Sequence, residues 1–200
     1  MWENCQSISP FPSSWRKMER RLNTIALDSC SLLNLYASGR FQAIVGAVAR
    51  PFVVAERVHA EALYIRRGGT GEDADEREQV DCPALIASGA LALATLSPTE
   101  TATFVMFAAE VDDSEAATAA LALHRGYDVA TDDGKALRLL HSHVPAARCY
   151  STLELLKHWA DTAGVQRDVL REALVAVRER GNFLWPKRDP LRAWAEAIMS

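Results

Sequence analysis

The sequence predicts an α/β fold, a sandwich in which helices pack on a mainly parallel β-sheet. Two observations lead to this prediction. Short apolar runs, typical of strands buried on both faces, recur along the chain. Between them lie longer segments with helical spacing, several of which end at glycine. Strands that alternate with helices in this way are typical of parallel sheets.

The first half of the predicted fold contains two strands and three helices. Residues 1–22 form an N-terminal extension, and the domain begins at residue 23. The elements in order are strand 24–27, helix 31–38, helix 41–49, strand 51–55 and amphipathic helix 56–67. Residues 68–79 contain three glycines and six charged residues without periodicity, which predicts a mobile surface loop.

The second half continues the alternation and then becomes all helical. Ser97, Pro98 and Glu100 form a helix start, with an N-cap, a proline at the first position and a glutamate at the third. The elements are strand 91–95, helix 98–110, alanine-rich helix 114–125, strand 127–131, helix 134–141 and strand 147–150. Residues 151–200 predict a helical C-terminal extension with helices 152–163, 167–180 and 190–199.

Composition limits the classes of function. The 200 residues suffice for a sizeable core, and 49% are apolar and 24% charged. A net charge of −4 argues against nucleic-acid binding by overall basicity, so a nuclease would depend on local basic patches and metal. Neither a transmembrane helix nor a secretory signal is predicted. We expect a cytoplasmic protein without membrane contact, with four reduced thiols at Cys5, Cys30, Cys82 and Cys149.

Four acidic residues are placed where they can share one site. Asp28 and Asp133 are predicted at strand ends, and ligands of parallel sheets bind beyond the carboxyl ends of strands. Glu115 lies in the first turn of its helix, and Glu61 lies in helix 56–67. Clustered carboxylates without a basic partner repel one another and take up a cation, with Mg²⁺ and Mn²⁺ favoured by oxygen ligands. The chemistry that follows is metal-assisted phosphodiester hydrolysis without a protein nucleophile.

Each acid also has a structural explanation. Asp28 can be the N-cap of the next helix, and residues 132–134 can form a turn. Asp112 and Glu115 can form a capping box, while Glu61 can be one charge on a solvated helix face. These explanations leave the recurrence of acids at strand ends unexplained, so we favour the metal site.

The motifs around the acids resemble those of the PIN domain nucleases, a family that includes the toxin ribonucleases of bacterial toxin-antitoxin pairs. Residues 25–36 resemble the opening motif, an apolar strand, an acid, a serine and an apolar helix. Asp28 takes the place of the first metal-site acid, and Ser29 follows it. Residues 52–63 are similar to the second motif, in which Glu61 falls on the acid.

Two later segments extend the resemblance. Residues 112–123 resemble the third motif, in which an acid opens a small-residue helix; Glu115 takes that position and Asp112 is the rival. Residues 129–136 resemble the fourth motif, with Thr131 and Asp133 on the matching positions and Asp132 as the rival.

The resemblance covers about residues 23–150 and implies a three-layer α/β/α sandwich around a central parallel sheet. It also implies an endoribonuclease dependent on Mg²⁺ or Mn²⁺, whose metal ligands are Asp28, Glu61, Glu115 and Asp133. RNA is then the substrate, and for a toxin member an antitoxin protein blocks the site; a homodimer is a further candidate assembly. The loop 68–79 and the C-terminal extension exceed the compact toxin form.

Other polar groups are secondary candidates. Thr131, Ser29, Lys135 and Arg138 lie near the acids and could contact substrate, although solvated helix ends also explain the two basic residues. A basic cluster at 178–188 surrounds Phe183 and Trp185 and could bind single-stranded RNA. We favour aromatic anchoring of the tail on the core. The alternative function is a non-catalytic RNA-binding or protein-interaction module on the same scaffold.

Overall fold

The computed structural model describes residues 24–60, 63–67 and 76–200. Within these ranges the strands are β1 Ile25–Leu27, β2 Phe52–Ala55, β3 Tyr64–Arg66, β4 Arg77–Gln79, β5 Ala92–Ala94, β6 Asp128–Ala130 and β7 Cys149–Tyr150. The helices are α1 Ser29–Ala37, α2 Phe41–Val48, α3 Glu56–Ala60, α4 Cys82–Ala87, α5 Pro98–Phe107, α6 Asp113–Arg125, α7 Gly134–His143, α8 Thr152–Ala163, α9 Arg167–Arg180 and α10 Arg192–Met199.

Five strands form one parallel sheet in the order β5-β2-β1-β6-β7. Ala26 in the central strand lies opposite Val53 of β2 and Val129 of β6. The chain first builds outward from β1 through β2 to β5, and then returns to add β6 and β7 on the other side. The strand order therefore reverses between β1 and β6, at the position where open α/β sheets bind ligands. The predicted α/β fold with a parallel sheet is confirmed.

Helices flank the sheet in an arrangement compatible with a three-layer sandwich. Helix α6 packs across β1, β2 and β6, while α1 packs on β1 and α8 packs on α2. The alanines of α6 allow close approach to the sheet, since five of them are at most 2% exposed: Ala116, Ala117, Ala119, Ala120 and Ala122. Strands β1 and β2 at the centre of the sheet are buried on both faces.

The helix ends agree with the local signals in the sequence. Ser97 and Glu100 form the predicted capping box at the start of α5. Gly126 ends α6 with a φ of 66°, a left-handed conformation that costs glycine little because it has no Cβ. Local side-chain chemistry thus sets where α5 begins and where α6 ends.

The prediction of a continuous helix over 56–67 is wrong. Helix α3 ends at Ala60, and Tyr64–Arg66 forms strand β3. The burial alternates, with Ile65 buried between the exposed Tyr64 and Arg66, and this period of two belongs to a strand. Strand β4 pairs antiparallel with β3, so the end of the predicted loop 68–79 is also wrong. Residues 68–75 lie outside the described ranges.

A short helix, α4, was not predicted. Asp81 caps it by accepting a hydrogen bond from the Ala84 backbone N–H at 2.9 Å, and a proline stands in its first turn. Aspartate followed two positions later by proline is a helix-start signal of the kind that was recognised at Ser97. The apolar run that follows is too short to show a helical period.

The C-terminal extension contributes to the same core as the sheet. Its buried side chains include Leu153, Leu155, Leu156, Leu170 and Leu174, each at most 5% exposed. Trp185 is 7% exposed and contacts Phe183 edge to face at 5.4 Å between ring centroids. Phe183 also packs against the core, as predicted for an aromatic anchor of the tail, and Trp194 does the same.

Three further expectations concern the chain as a whole. No helix in the described part of the chain is long and apolar enough to cross a bilayer. Cys30, Cys82 and Cys149 are free thiols, while Cys5 lies outside the described residues. The N-terminal extension 1–22 also lies outside them, as does residue 23.

Candidate functional site

The ends of β1 and β6 meet at the switch point of the sheet. The Asp28 backbone N–H donates to the Ala130 carbonyl at 3.2 Å, so the residues that follow both strands are neighbours. Asp28 and Thr131 are each 1% exposed, and the Thr131 side chain is near enough to Asp28 to lower the pKa of that carboxyl. A buried polar pair therefore occupies the position where the topology favours a ligand.

Asp28 is a buried carboxylate held by several donors. Its Oδ1 accepts from the Ser31 backbone N–H at 2.7 Å, which makes it the N-cap of α1. The Cys30 thiol lies 3.1 and 3.2 Å from the two carboxylate oxygens. Burial raises the pKa of Asp28, and hydrogen bonds from Thr131, Ser31 and Cys30 oppose that rise. No lysine or arginine of the described ranges forms an ion pair with it.

The start of α6 supplies the second acid. The hydroxyls of Ser29 and Ser114 are hydrogen-bonded at 3.0 Å, and the Thr118 hydroxyl donates to the Leu27 carbonyl at 3.4 Å. These contacts tie α6 to the end of β1 and bring Glu115 to the site. Burial raises the pKa of Glu115 to about 7, and the negative charges of Asp133, Asp28 and Asp112 add to the rise.

Asp133 follows β6 and caps α7. Its Oδ1 accepts from the backbone N–H groups of Lys135 at 2.5 Å and Ala136 at 2.9 Å. Its own N–H donates to the Thr131 hydroxyl at 3.1 Å. Asp133 is therefore fixed by the turn that also places Thr131 against Asp28.

Asp132 connects the site to the C-terminal extension. It accepts from the Thr152 backbone N–H at 3.0 Å, from the Thr152 hydroxyl, and from the Asn34 amide at 3.3 Å. Burial raises the pKa of Asp132 to about 6, against the lowering effect of Thr152, and the charge of Asp28 adds to the rise. Asp132 is thus both a structural link to α8 and a neighbour of Asp28.

Three of the four predicted metal ligands lie within the described residues, and Asp28 and Asp133 are near enough to Glu115 for their charges to raise its pKa. Glu61 lies outside the described residues. Of the rivals, Asp132 lies beside the three. Asp112 is exposed and forms a capping box with Glu115, whose Oε2 accepts from the Asp112 N–H at 3.2 Å.

The structural explanations of the acids are also correct. Asp28 and Asp133 are N-caps, and Glu115 belongs to the capping box. Each cap engages one identified carboxylate oxygen: Oδ1 of Asp28, Oδ1 of Asp133 and Oε2 of Glu115. Capping therefore leaves a second oxygen on Asp133 and on Glu115 for a ligand, whereas Oδ2 of Asp28 also accepts from the Cys30 thiol at 3.2 Å.

The donor set suits a hard divalent cation. Carboxylate and hydroxyl oxygens dominate it. Burial raises the pKa of Glu115, and the charges of Asp133 and Asp28 add a repulsion that a cation would relieve. Across residues 24–60, 63–67 and 76–200, no three His, Cys, Asp or Glu side chains are arranged as a ready metal site. The suitability of the site for a divalent cation rests on its oxygen donors and on the negative charges of its acids.

The secondary candidates lie at the rim. Ser29 is engaged with Ser114, and Thr131 holds Asp28 and Asp133 in place. Lys135 and Arg138 are exposed on α7, next to the acids in the chain. The basic side chains are thus available to solvent, while the hydroxyls have structural partners.

Sequence reasoning missed two polar side chains that organise the site. Asn34 donates to Asp132 and to the Thr152 hydroxyl at 3.2 Å, and is 2% exposed. A single asparagine in the apolar run of α1 was a signal for a buried polar contact. Thr152 follows the N-cap Ser151 of a capping box, a local signal that gave no hint of its contact with Asp132.

The chain was also compared with known proteins. No family model, no curated protein and no solved structure matches it. The function is therefore inferred from the geometry and chemistry of the site.

Proposed function

We propose that the chain is a metal-dependent endoribonuclease of the PIN type, with Mg²⁺ or Mn²⁺ held by Asp28, Glu115 and Asp133. Glu61 completes the proposed set of ligands on the resemblance of its motif. One observation carries the proposal. Carboxylates from three separate segments lie near the switch point of a parallel sheet without a cationic partner in the described residues; burial raises the pKa of Glu115, and the charges of Asp133 and Asp28 add to the rise.

Each of the three acids would have its own part in binding the ion. Asp28, buried and oriented by Ser31 and Thr131, provides a fixed oxygen ligand. Glu115 and Asp133 approach from α6 and α7 and complete the charge that holds the ion. When bound, the ion would polarise a phosphodiester and lower the pKa of a water molecule that attacks it.

A second network would keep these ligands in position. Asn34, Asp132 and Thr152 connect α1, the end of β6 and α8 by hydrogen bonds. Because Asp133 directly follows Asp132, this network limits movement of the turn that presents Asp133. Asp132 would act as a positioning residue, and removing its contacts would loosen the site without removing a ligand.

Metal-dependent RNA cleavage tests the proposal. A mixed pool of structured and unstructured RNA is incubated with Mn²⁺ or Mg²⁺ and the wild type, Asp28→Asn or Glu115→Gln. We expect cleavage that needs the ion and that is lost in both variants. Asp81→Asn is the matched control, because Asp81 also caps a helix but lies outside the site. Absence of cleavage by the wild type, or equal cleavage by Asp28→Asn, would contradict the proposal.

The capping roles of the acids favour one other candidate, a non-catalytic RNA-binding or protein-interaction module. Such a module would bind no divalent ion, and Asp28→Asn would keep its binding function. The toxin form of the nuclease proposal makes a different prediction, growth arrest on expression that depends on Asp28 and is relieved by an antitoxin. These outcomes separate the three possibilities.

A further inference from the structure

A cavity of about 410 Å³ lies beside the acids, between α7, the end of β7 and residues 186–190 of the tail. We call it the tail pocket. Residues on its wall include Thr131, Asp132, Arg138, Tyr150, Pro186 and Arg188. Its volume is within the range of ligand sites, roughly 300–1,000 Å³. Thr131 and Asp132 belong to both, so the tail pocket adjoins the candidate site.

The acidic side chains of the tail pocket already have hydrogen-bond donors. Asp132 accepts from Thr152 and Asn34, as described above. Glu154 accepts from the Ser151 N–H at 2.9 Å, and Asp189 accepts from the Leu191 N–H at 2.8 Å. Local donors thus partly satisfy the carboxylates of the wall.

The two guanidinium groups on the wall, unlike the carboxylates, have no hydrogen-bond partner in the described residues. Within the described ranges, neither Arg138 nor Arg188 donates a side-chain hydrogen bond or forms an ion pair. Each guanidinium carries five N–H donors in a planar arrangement that matches phosphate. Both cations on the wall are therefore available to an anionic ligand.

Arg188 lies directly against the first residue of α7. A Cβ built on Gly134 would come within 2.2 Å of Nη2 of Arg188, so glycine leaves the space that the guanidinium fills. The amino end of α7 adds partial positive charge at the same place. Apolar surface from Leu137, Pro186 and Pro190 completes the wall. The combination of two cations and an apolar wall suits a phosphate joined to a sugar and base.

We infer that the tail pocket binds one nucleotide of single-stranded RNA next to the cleaved bond, with Arg188 and Arg138 on its phosphate. Leu137 and the two prolines contact the sugar or base. This inference rests on the proposed ribonuclease function and adds the C-terminal extension to the substrate site.

Binding of a labelled single-stranded RNA oligonucleotide, followed by fluorescence anisotropy in EDTA, tests the inference without cleavage. Arg188→Ala should weaken binding at least about tenfold, because a charge-assisted contact is lost. It should also reduce the slope of log K against log salt by about 0.7, the value for one phosphate on a single strand. Lys187→Ala is the matched control. It also removes one positive charge, but Lys187, the residue before Arg188, lines a different cavity. Its binding and salt slope should stay near those of the wild type.

Gly134→Ala gives a second variant that keeps every charge. The added methyl group displaces the Arg188 guanidinium, which can move because it is the end of a flexible side chain. Alanine is the better helix former, so the melting temperature should stay equal or rise while RNA binding weakens. Weaker binding by a variant of undiminished stability would exclude misfolding as the cause.

The outcomes separate this inference from the nuclease proposal. Cleavage with Mn²⁺ by the wild type, together with a raised KM for Arg188→Ala, would support both. If the wild type cleaves RNA but Arg188→Ala binds no more weakly than Lys187→Ala, the tail pocket is not a substrate site and the nuclease proposal stands. If the wild type neither binds nor cleaves RNA, both are overturned.

Discussion

The pKa of Glu115 shows the combined effect of burial and of the neighbouring acids. Burial and the neighbouring acids raise its pKa from 4.5 to about 7. Between these pH values the folded protein holds a proton that the unfolded chain has released. Stability attributable to Glu115 is therefore highest below pH 4.5 and falls as the pH rises towards 7. Asp132, with a pKa raised to about 6, contributes with the same sign.

Glu115→Gln should raise the melting temperature in metal-free buffer at pH 7.5. We expect a rise of about 2–4 °C, or roughly 1 kcal/mol after allowance for solvent screening. Glutamine keeps the capping box with the Asp112 N–H, so only the charge is lost. Calorimetric scans in EDTA from pH 4.5 to 8 should show a flatter profile for the variant. A lower melting temperature for Glu115→Gln at pH 7.5 would mean that capping outweighs repulsion.

Asp28 allows charge and cap to be tested apart. Asparagine caps a helix as well as aspartate does and removes the buried charge, so Asp28→Asn should raise the melting temperature without metal. Asp28→Ala also removes the acceptor for the Ser31 N–H and should lose about 1 kcal/mol relative to Asp28→Asn. Thermal unfolding in EDTA compares the two variants. A clear drop for Asp28→Asn would argue against a repulsive cluster.

At the scale of the elements, one ion pair ties the start of α5 to the end of α6. Arg125 donates to both carboxylate oxygens of Glu100, at 2.6 and 2.8 Å, and to the Thr95 carbonyl at 2.6 Å. The hydrogen bonds from Arg125 are the main reason that the pKa of Glu100 falls to about 2. The stabilisation is complete above pH 4.5 and is lost as the pH falls towards 2, opposite in sign to Glu115.

Arg125→Met should destabilise the fold by about 3 kcal/mol at pH 7, because it leaves Glu100 buried and without its partner. Lys157→Met is the control, since its pair with Asp161 is exposed and should contribute less than about 1 kcal/mol. Urea denaturation between pH 3 and pH 7 measures both variants. Equal effects of the two substitutions would show that Glu100 is not stabilised in this way.

Local signals explain which elements were predictable. The starts and ends of α5, α6 and α8 depend on caps that lie within a few residues, and these boundaries were close to the predicted ones. Strand β3 was missed because Tyr64–Arg66 is short and its partner β4 lies about a dozen residues further on. A pairing of that kind leaves little trace in either segment alone.

In the site, too, features set by local sequence were predictable and contacts between distant segments were not. Asp28 and Asp133 could be placed together because both follow strands of one parallel sheet. The contact of Asn34 with Thr152, and that of Arg188 with Gly134, depend on how the C-terminal extension packs. Those contacts join distant segments, and no spacing within the sequence encodes them.

At the scale of the whole molecule, the C-terminal extension is needed for the core. Helix α8 packs on α2 and α9 packs on α1. Each fully buried leucine contributes about 1.5–3 kcal/mol, so the five buried leucines of α8 and α9 rival the usual total stability of about 5–15 kcal/mol. A chain that ends after residue 150 should therefore show no cooperative thermal unfolding by circular dichroism. A sharp transition near that of the full chain would show that the first 150 residues fold alone.

The proposed activity depends most directly on a divalent cation held jointly by Asp28, Glu115 and Asp133. Calorimetric titration of Mn²⁺ at pH 7.5 into the wild type, Glu115→Gln and the capping control Asp81→Asn measures this. We expect the wild type and Asp81→Asn to bind with equal affinity, and Glu115→Gln to bind at least about tenfold more weakly, the loss of about 1.4 kcal/mol. Absence of binding by the wild type, or equal binding by Glu115→Gln, would contradict a shared metal site.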